Sequence, residues 1–509
     1  MTPTMRRRLA VVLWVLVLGC SFYNLPNYPT LWWDEGIFCE TAANLAQHGR
    51  YALTLQSPDR LQDFDNRISA GPVVIAPVAL AFKLLGVEVV NARLVAALFL
   101  VAALVFLHRA GRLLVGPSAA LLGVGLALGC TDLLYWGRCV LGDIPALGCF
   151  LGGTYFFLRG LQQTRLRYYL AAGLGLGLAC AAKEFYAFTV FPPLAVLALT
   201  HRHDGRRLLQ AGGLLALGAF LPLAAYVALK AVVLHSLWGA VLHFVHQKQL
   251  LCHEFFTPFT IGRVYPESWA YLLSHPLWLT GVLGLWWTRR HVLATPGGLN
   301  WAVNFGLWSL FYLLAVYWQR FALPALLLAG PLAAAALIEA ARRLTASVSR
   351  PPRPWLQAGV LAALVALLFP WPLTGNLKQI ICRTKDSPYR LEEYLQEHVP
   401  TTLLIETPEY ELPFLDDAHR FHLLPEYYFL ESTDNDIKLL NPSPQAYDFL
   451  SVQADLLILG SFGKSVFRQI YPPEKVNRHY RKIATIDYYD IYLRQPVGGE
   501  GLARRPQFR

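Results

Sequence analysis

The stretch Leu31-Trp32-Trp33-Asp34-Glu35-Gly36 sets two adjacent carboxylates behind two tryptophans, shortly after a long apolar run from Leu9 to Tyr23. Tryptophan favours a membrane–water boundary, because its ring is apolar and its N–H is wet. A carboxylate pair there is costly unless it has a partner or a task. The task an acid suits is proton transfer: a carboxylate beside a hydroxyl takes its proton as the oxygen attacks. Asp34 is the candidate base. Glu35 either supports it or serves the first turn of a following helix, where an acid suits the helix dipole. Further candidates are Arg138 and Asp143 in the segment 137–145 (Gly-Arg-Cys-Val-Leu-Gly-Asp-Ile-Pro), Lys183 and Arg320. Each has a plainer reading. Asp143, two residues before Pro145, suits a helix start. Arg138 could reach lipid headgroups, and Lys183 could pair near Glu184 or with lipid. His243, His246 and His253 share one helical face and, with Glu254, are candidates for a divalent metal. The plainer account is the wet face of a helix lying on the membrane.

The elements that position these groups follow from composition. The chain of 509 residues is 55% hydrophobic and 15% charged, with mean hydropathy +0.38. A soluble protein of this size carries about 25% charged residues. Long apolar runs fill residues 9–373, and 374–509 reads as an ordinary soluble stretch. The chain is therefore expected to be a polytopic α-helical membrane protein, with a transmembrane domain over 1–373 and a soluble α/β domain over 374–509. The net charge of +11 sits in short basic loops, which suits anionic lipid and is no nucleic-acid signal. The eight cysteines are scattered, with no zinc or disulfide spacing. The first helix, behind Arg6-Arg7-Arg8, has no clear cleavage site and reads as uncleaved.

Candidate spans are 9–25, 91–108, 118–136, 143–160, 168–182, 185–200, 208–232, 269–287, 299–317, 321–340 and 355–373, about eleven in all. The stretch 71–87 is apolar but short, and holds Pro72, Pro77 and Lys83. If it lies in the interface instead of spanning, every basic cluster falls on one side, as the positive-inside rule requires. The N-terminus is then inside and the soluble domain outside. The outer side collects Asp34, Glu35, Arg138, Asp143, Lys183-Glu184 and Arg320. Charges from separate helices gathered at one membrane face point to a cavity. The Gly-Leu-Gly-Leu-Gly at 173–177 lies inside an apolar run and is read as helix packing by small residues. In the soluble part, 389–398 reads as an amphipathic helix, and 402–406, 455–460 and 483–493 as strands.

An outward site has no nucleotide-sugar supply, so a transferase there draws on a lipid-linked donor. It needs a base for the acceptor proton, cations for the departing phosphate, and an apolar groove for the prenyl chain. Asp34, then Arg138, Lys183 and Arg320, then the stretch 71–87 supply one candidate each. With these motifs, and with Ala-Ala-Lys-Glu at 181–184 and Gln-Arg-Phe-Ala-Leu-Pro at 319–324, the chain resembles the GT-C glycosyltransferases. The branch is that of protein O-mannosyltransferases and the aminoarabinose transferases that modify lipid A. The resemblance covers about residues 9–340.

It implies an inverting transfer from a polyprenyl-phosphate sugar to a hydroxyl or phosphate acceptor on a lipid, glycan or protein. It implies Asp34 as base, Glu35 in support, and Arg138, Asp143, Lys183 and Arg320 around donor or acceptor. It also implies a multi-pass protein of a bacterial-type inner or plasma membrane, with the C-terminal domain periplasmic or extracellular. Relatives often carry Lys-Pro-Pro or His-Pro-Pro before the juxtamembrane helix. Here 68–75 reads Ile-Ser-Ala-Gly-Pro-Val-Val-Ile, so Arg67 is the substitute phosphate contact. Two other classes stay open: a transporter or flippase of lipid-linked sugars, and a non-catalytic receptor on a transferase scaffold. No cofactor is certain.

Overall fold

The computed structural model describes residues 3–56, 60–65, 67–243, 245, 266–314, 318–348, 354–369, 372–384, 386–424, 430–433, 436–439 and 447–495. Helix α1 (Pro3–Phe22) leads into the first long loop. This loop holds α2 (Trp33–His48), the hairpin β1 (Ala52–Gln56) and β2 (Arg60–Asp63), and α3 (Pro72–Leu85). A bundle follows: α4 (Val89–Leu114), α5 (Pro117–Leu128), α6 (Thr131–Trp136), α7 (Asp143–Gln163), α8 (Leu166–Ala182), α9 (Phe191–Thr200) and α10 (Gly205–Val233). Later bundle helices are Pro266–Ser274, Pro276–Val292, Pro296–Leu314, Leu323–Val348 and Pro354–Leu368.

Four helical stretches among the described residues are long and apolar enough to cross a membrane: 89–114, 143–163, 205–233 and 319–347. Other expected spans are jointed. The run 118–136 breaks at Gly129-Cys130 into α5 and α6, and 269–287 breaks before Pro276. Proline cannot donate the helical hydrogen bond, so a new helix starts there.

Helix α3 has 14 residues. At 1.5 Å per residue it reaches about 21 Å, short of the roughly 30 Å hydrocarbon core. One face buries Val74, Ile75, Val78 and Phe82, and the other exposes Leu80, Leu84 and Leu85. That pattern fits an interfacial helix. Its start is pinned: the Gly71 N–H donates to the Ala182 carbonyl at 3.2 Å. A Cβ at Gly71 would lie 1.6 Å from the Ala181 carbonyl oxygen. On α8, Cβ atoms at Gly173 and Gly177 would come within 2.1 and 2.3 Å of carbonyls on α10. The glycine run is thus a small-residue helix contact, as its sequence setting suggests.

The chain after 386 supplies five strands of a seven-stranded sheet in the order β2-β1-β4-β3-β7-β9-β8. Its members are β3 (Leu404–Glu406), β4 (Arg420–His422), β7 (Leu456–Leu459), β8 (Tyr480–Ile486) and β9 (Tyr489–Arg494). A separate hairpin pairs β5 (Leu430–Thr433) with β6 (Asp436–Leu439). Strands β4, β3 and β7 run parallel, and all four residues of β7 are buried, as befits a central parallel strand. Helix Ser387–His398 lays Leu391 and Leu395 on the core formed by Ile405, Phe421, Leu456 and Ile458. The expected helix and the strands at 402–406 and 455–460 are present, while 483–493, expected as one strand, turns at Asp487-Tyr488 and splits into the antiparallel pair β8–β9. The sheet, however, is not confined to the C-terminal stretch. Its β1–β2 edge comes from the first loop, through Gln56 opposite His422 and the Leu423 N–H on the Leu55 carbonyl at 3.0 Å.

The turn after β3 rests on α2. Trp33 donates its Nε1–H to the Pro408 carbonyl at 2.8 Å and stacks on Phe462 with centroids 5.0 Å apart. Gly36 lets the backbones meet, since a Cβ there would lie 2.5 Å from the Glu411 nitrogen. Two buried acids sit in this turn. Glu409 accepts the Gly460 and Gly463 N–H groups, each at 2.8 Å, and Glu411 accepts the Tyr489 hydroxyl at 2.7 Å. Each keeps a second buried oxygen without a hydrogen bond. Burial pushes Glu409 up to about 7 and Glu411 up to about 8. A raised carboxyl favours the folded state fully below the ordinary carboxyl range, and this favour is lost as pH rises through the folded value. The melting temperature should therefore fall between pH 5 and pH 8.5, and fall less in Glu411→Gln. Thermal scans across pH check this, and equal slopes in the two proteins would refute it.

Candidate active site

Helix α2 opens with Trp33, Asp34 and Glu35, and the two acids point to different sides because consecutive helical residues turn by about 100°. Glu35 goes inward to Arg93 and Asp34 faces Arg320. Glu35 is wholly buried and meets the equally buried Arg93 of α4 through two bonds, at 2.8 and 2.7 Å. Glu35 also accepts the Val140 N–H at 3.0 Å, and Arg93 donates to the Leu25 carbonyl at 2.8 Å. Four segments thus converge on one ion pair. Glu35 reaches nothing else, so it holds α2 in place.

Asp34 remains 18% exposed and accepts from Arg320 Nη1 at 2.9 Å. Arg320 lies in a 3-10 turn, Gln319–Ala322, at the head of helix Leu323–Val348. It is almost fully buried. Aromatic rings surround its guanidinium: Trp318 at 4.3 Å, Trp32 at 5.4 Å, Phe321 at 5.5 Å and Trp136 at 5.7 Å from Cζ to centroid. Ring faces attract a cation without using its N–H donors. Asp143 lies on the far side, its Oδ2 3.9 Å from Arg320 Nε. Both of those atoms are buried and lack a hydrogen bond. Asp143 stands in the first turn of α7 behind Gly142 and makes no capping bond.

Lys183 closes α8 and is 3% exposed. Its Nζ lies 3.4 Å from Ser69 Oγ and 5.6 Å from the Phe185 ring centre. Its stem passes the start of α7, since a Cβ on Gly142 would lie 3.2 Å from Lys183 Cδ. Asp34, Arg320 and Asp143 thus form one linked constellation, and the Lys183 stem lies against the residue before Asp143.

The other two expected cations are committed elsewhere. Arg138 donates to the Cys20 and Tyr23 carbonyls at 3.0 and 2.6 Å and lies 5.4 Å from the Tyr28 ring centre, tying down the end of α1. Arg67 is buried against Asp65 with two 2.6 Å bonds, and also donates to Tyr410 and to the Leu424 carbonyl. It joins the first loop to the sheet. Of the candidate metal ligands, His243 lies 3.3 Å from the buried Lys230 ammonium. His246, His253 and Glu254 lie outside the described residues. Among the described residues, no cluster of three or more His, Cys, Asp or Glu could hold a metal ion.

Sequence reasoning missed Arg93, Ser69 and the aromatic ring around Arg320. A signal for Arg93 existed: an arginine inside an apolar run needs an acid, and Glu35 was an acid without a partner. Nothing in the spacing pointed to Ser69, which meets Lys183 from 114 residues away.

This fold resembles those of solved oligosaccharyl- and arabinofuranosyltransferases. Residues 69–226 match the dolichyl-phosphate-mannose-protein mannosyltransferase family. Among solved structures, the chain is similar to ArnT from Cupriavidus metallidurans bound to undecaprenyl phosphate, with TM-score 0.61, 15% identity, 96% of this chain and 97% of that one covered. It is similar to the archaeal oligosaccharyltransferase AglB from Archaeoglobus fulgidus, in complex with an inhibitory peptide and a dolichol-phosphate, with TM-score 0.59, 11% identity and coverage of 96% and 74%. It also resembles the arabinofuranosyltransferase AftD from Mycobacteria, with TM-score 0.51, 14% identity and coverage of 98% and 40%. No curated protein matches it in sequence. The resemblance to the ArnT-like and protein-mannosyltransferase-like GT-C proteins thus holds in both sequence family and fold.

Removing one partner of a buried ion pair strands the other charge, which costs about 3–5 kcal/mol. Arg93→Ala should lower the melting temperature far more than Arg320→Ala, whose acid partner keeps access to solvent. Thermal unfolding of both variants in the same lipid checks the ranking.

Proposed function

We propose that the chain is an inverting glycosyltransferase that moves a sugar from a polyprenyl-phosphate donor to an acceptor hydroxyl or phosphate. The observation that carries this is Lys183. Among the described residues, this buried ammonium touches only one hydroxyl and one ring, and its stem passes Gly142, the residue before Asp143. A buried ammonium without a carboxylate needs an anion. A phosphate at Ser69 and Lys183 supplies it and sits beside Asp143 and Asp34. Lys183 takes the place of the basic residue that relatives carry before the juxtamembrane helix, a role that Arg67, bound to Asp65, is not placed to fill. Arg67 and Arg138 act indirectly, by holding the walls. The exposed Leu80, Leu84 and Leu85 lie along α3, the helix that begins three residues after Ser69, and offer a track for the prenyl chain.

The step follows from these positions. Asp34 takes the proton of the acceptor hydroxyl. The acceptor oxygen bonds to the anomeric carbon as the bond from that carbon to the phosphate oxygen breaks. The electron pair leaves on the polyprenyl phosphate, held by Lys183 and Arg320. Attack opposite the leaving group inverts the anomeric centre, as in inverting glycosidases. Glu35 positions Asp34 through α2, and Asp143 contacts donor or acceptor. The basic loops set the site on the outer face of an inner or plasma membrane, with the sheet outside as its cover. The transporter reading is weaker, because the charges gather at one face and no inverted repeat is visible.

The test uses purified protein in lipid and a panel of polyprenyl-phosphate sugars. Asp34→Asn should lower turnover by about 10²–10⁴-fold, the usual worth of a general base, and should still bind undecaprenyl phosphate. Lys183→Ala should weaken that binding. Full turnover in Asp34→Asn would remove Asp34 as base. No binding of any lipid phosphate by the native chain would overturn the transferase reading.

A further inference from the structure

Two carboxylates from different helices converge on one guanidinium. Asp34 arrives from α2, Asp143 from α7, and Arg320 stands between them at 2.9 and 3.9 Å. Two acids this close to one another need a cation between them. Arginine fills that position with unusual slack. Only the bond to Asp34 is short. Arg320 Nε and Asp143 Oδ2 are both buried and both lack a hydrogen bond. Four aromatic rings stand 4.3 to 5.7 Å from the guanidinium carbon, and a ring face attracts a cation without accepting its N–H bonds. A cation held among rings and bonded closely to only one acid keeps its place while changing its anion.

We propose that Arg320 is the resident counter-ion of the Asp34/Asp143 pair, filling the place a divalent cation would take, and that it turns its edge from Asp34 to the donor phosphate on binding. The second half rests on the function proposed above. A carboxylate whose lone pairs face a guanidinium is poorly placed to accept a proton. A phosphate seated at Lys183 offers the arginine a stronger, doubly bonded partner. The Lys183 stem passes Gly142, the residue before Asp143, so a phosphate on this lysine approaches from the start of α7. Donor arrival then frees Asp34 at the moment a base is needed. Without a donor, the acid stays occupied.

The experiment uses full-length protein in nanodiscs and two probes. The first is Mn²⁺, followed by electron paramagnetic resonance. The native chain should bind no more Mn²⁺ than Asp34→Asn does. Arg320→Gln should open the acid pair and bind Mn²⁺ about tenfold more tightly, and the gain should vanish in Arg320→Gln with Asp34→Asn. A Mn²⁺ site in the native chain that Asp34→Asn removes would overturn the resident counter-ion, and this comparison does not depend on Arg320→Gln folding. The second probe is undecaprenyl phosphate, read by tryptophan emission, because Trp32, Trp136 and Trp318 line the guanidinium. Emission should shift on saturation in the native chain, and the shift should be lost in Arg320→Gln. Lipid seen bound by native mass spectrometry with unchanged emission would overturn the exchange. Failure of the native chain to bind the lipid at all would overturn the proposed function and the exchange with it, while the Mn²⁺ result judges the counter-ion separately.

Discussion

A fully buried carboxylate beside a bilayer has to be neutralised, and the structure depends on how Glu35 solves this. Arg93, also wholly buried, grips it with two short bonds, and both groups recruit backbone partners from the α1–α2 linker and from the segment before α7. The Coulomb gain alone does not repay the desolvation of two ions. What repays it here is completeness, since the carboxylate accepts three N–H bonds and the guanidinium also donates to backbone carbonyls. The pair therefore sets the rotation of α2 about its axis. Once Glu35 points inward, its neighbour Asp34 faces Arg320.

The same helix is clamped from above. Trp33 bonds to the turn after β3, Gly36 admits the backbone at Glu411, and Leu31 donates its N–H to Asp386 at 3.1 Å. Arg67 ties the end of the first loop to Tyr410 and Leu424. The hairpin β1–β2 completes the sheet edge. The first loop and the C-terminal stretch are thus one folded layer over the polar constellation. That layer gives the site a roof made from two distant parts of the chain, so a change in either part alters the position of α2.

The candidate site was only partly legible in the residues. Asp34, Asp143, Lys183 and Arg320 stand out as charges at the ends of apolar runs, where a charge is costly without a purpose, and the fold joins Asp34, Arg320 and Asp143 and sets the Lys183 stem against Gly142. Arg138 and Arg67 carry the same sequence signal yet are spent on carbonyls and on Asp65. A charge at a membrane edge announces that it has a partner. It does not say whether the partner is a substrate or the protein's own backbone. The histidine face gave a metal pattern of which only His243 falls within the described structure, and His243 lies beside Lys230.

By itself, the sequence determined the class: apolar runs separated by short basic loops, a short apolar stretch at 71–87, and strands near the C-terminus. These follow from local composition and period, which neighbours in the chain settle among themselves. The tertiary structure alone decided that Glu35 belongs to Arg93, that Lys183 meets Ser69, that four aromatic rings frame Arg320, and that the first loop lends two strands to the C-terminal sheet. Apart from Trp318 and Phe321, which flank Arg320 in the chain, each joins residues tens to hundreds of positions apart. Such pairings are selected by the cost of leaving a buried charge or a strand edge unmatched, and that cost exists only once the chain has folded around it.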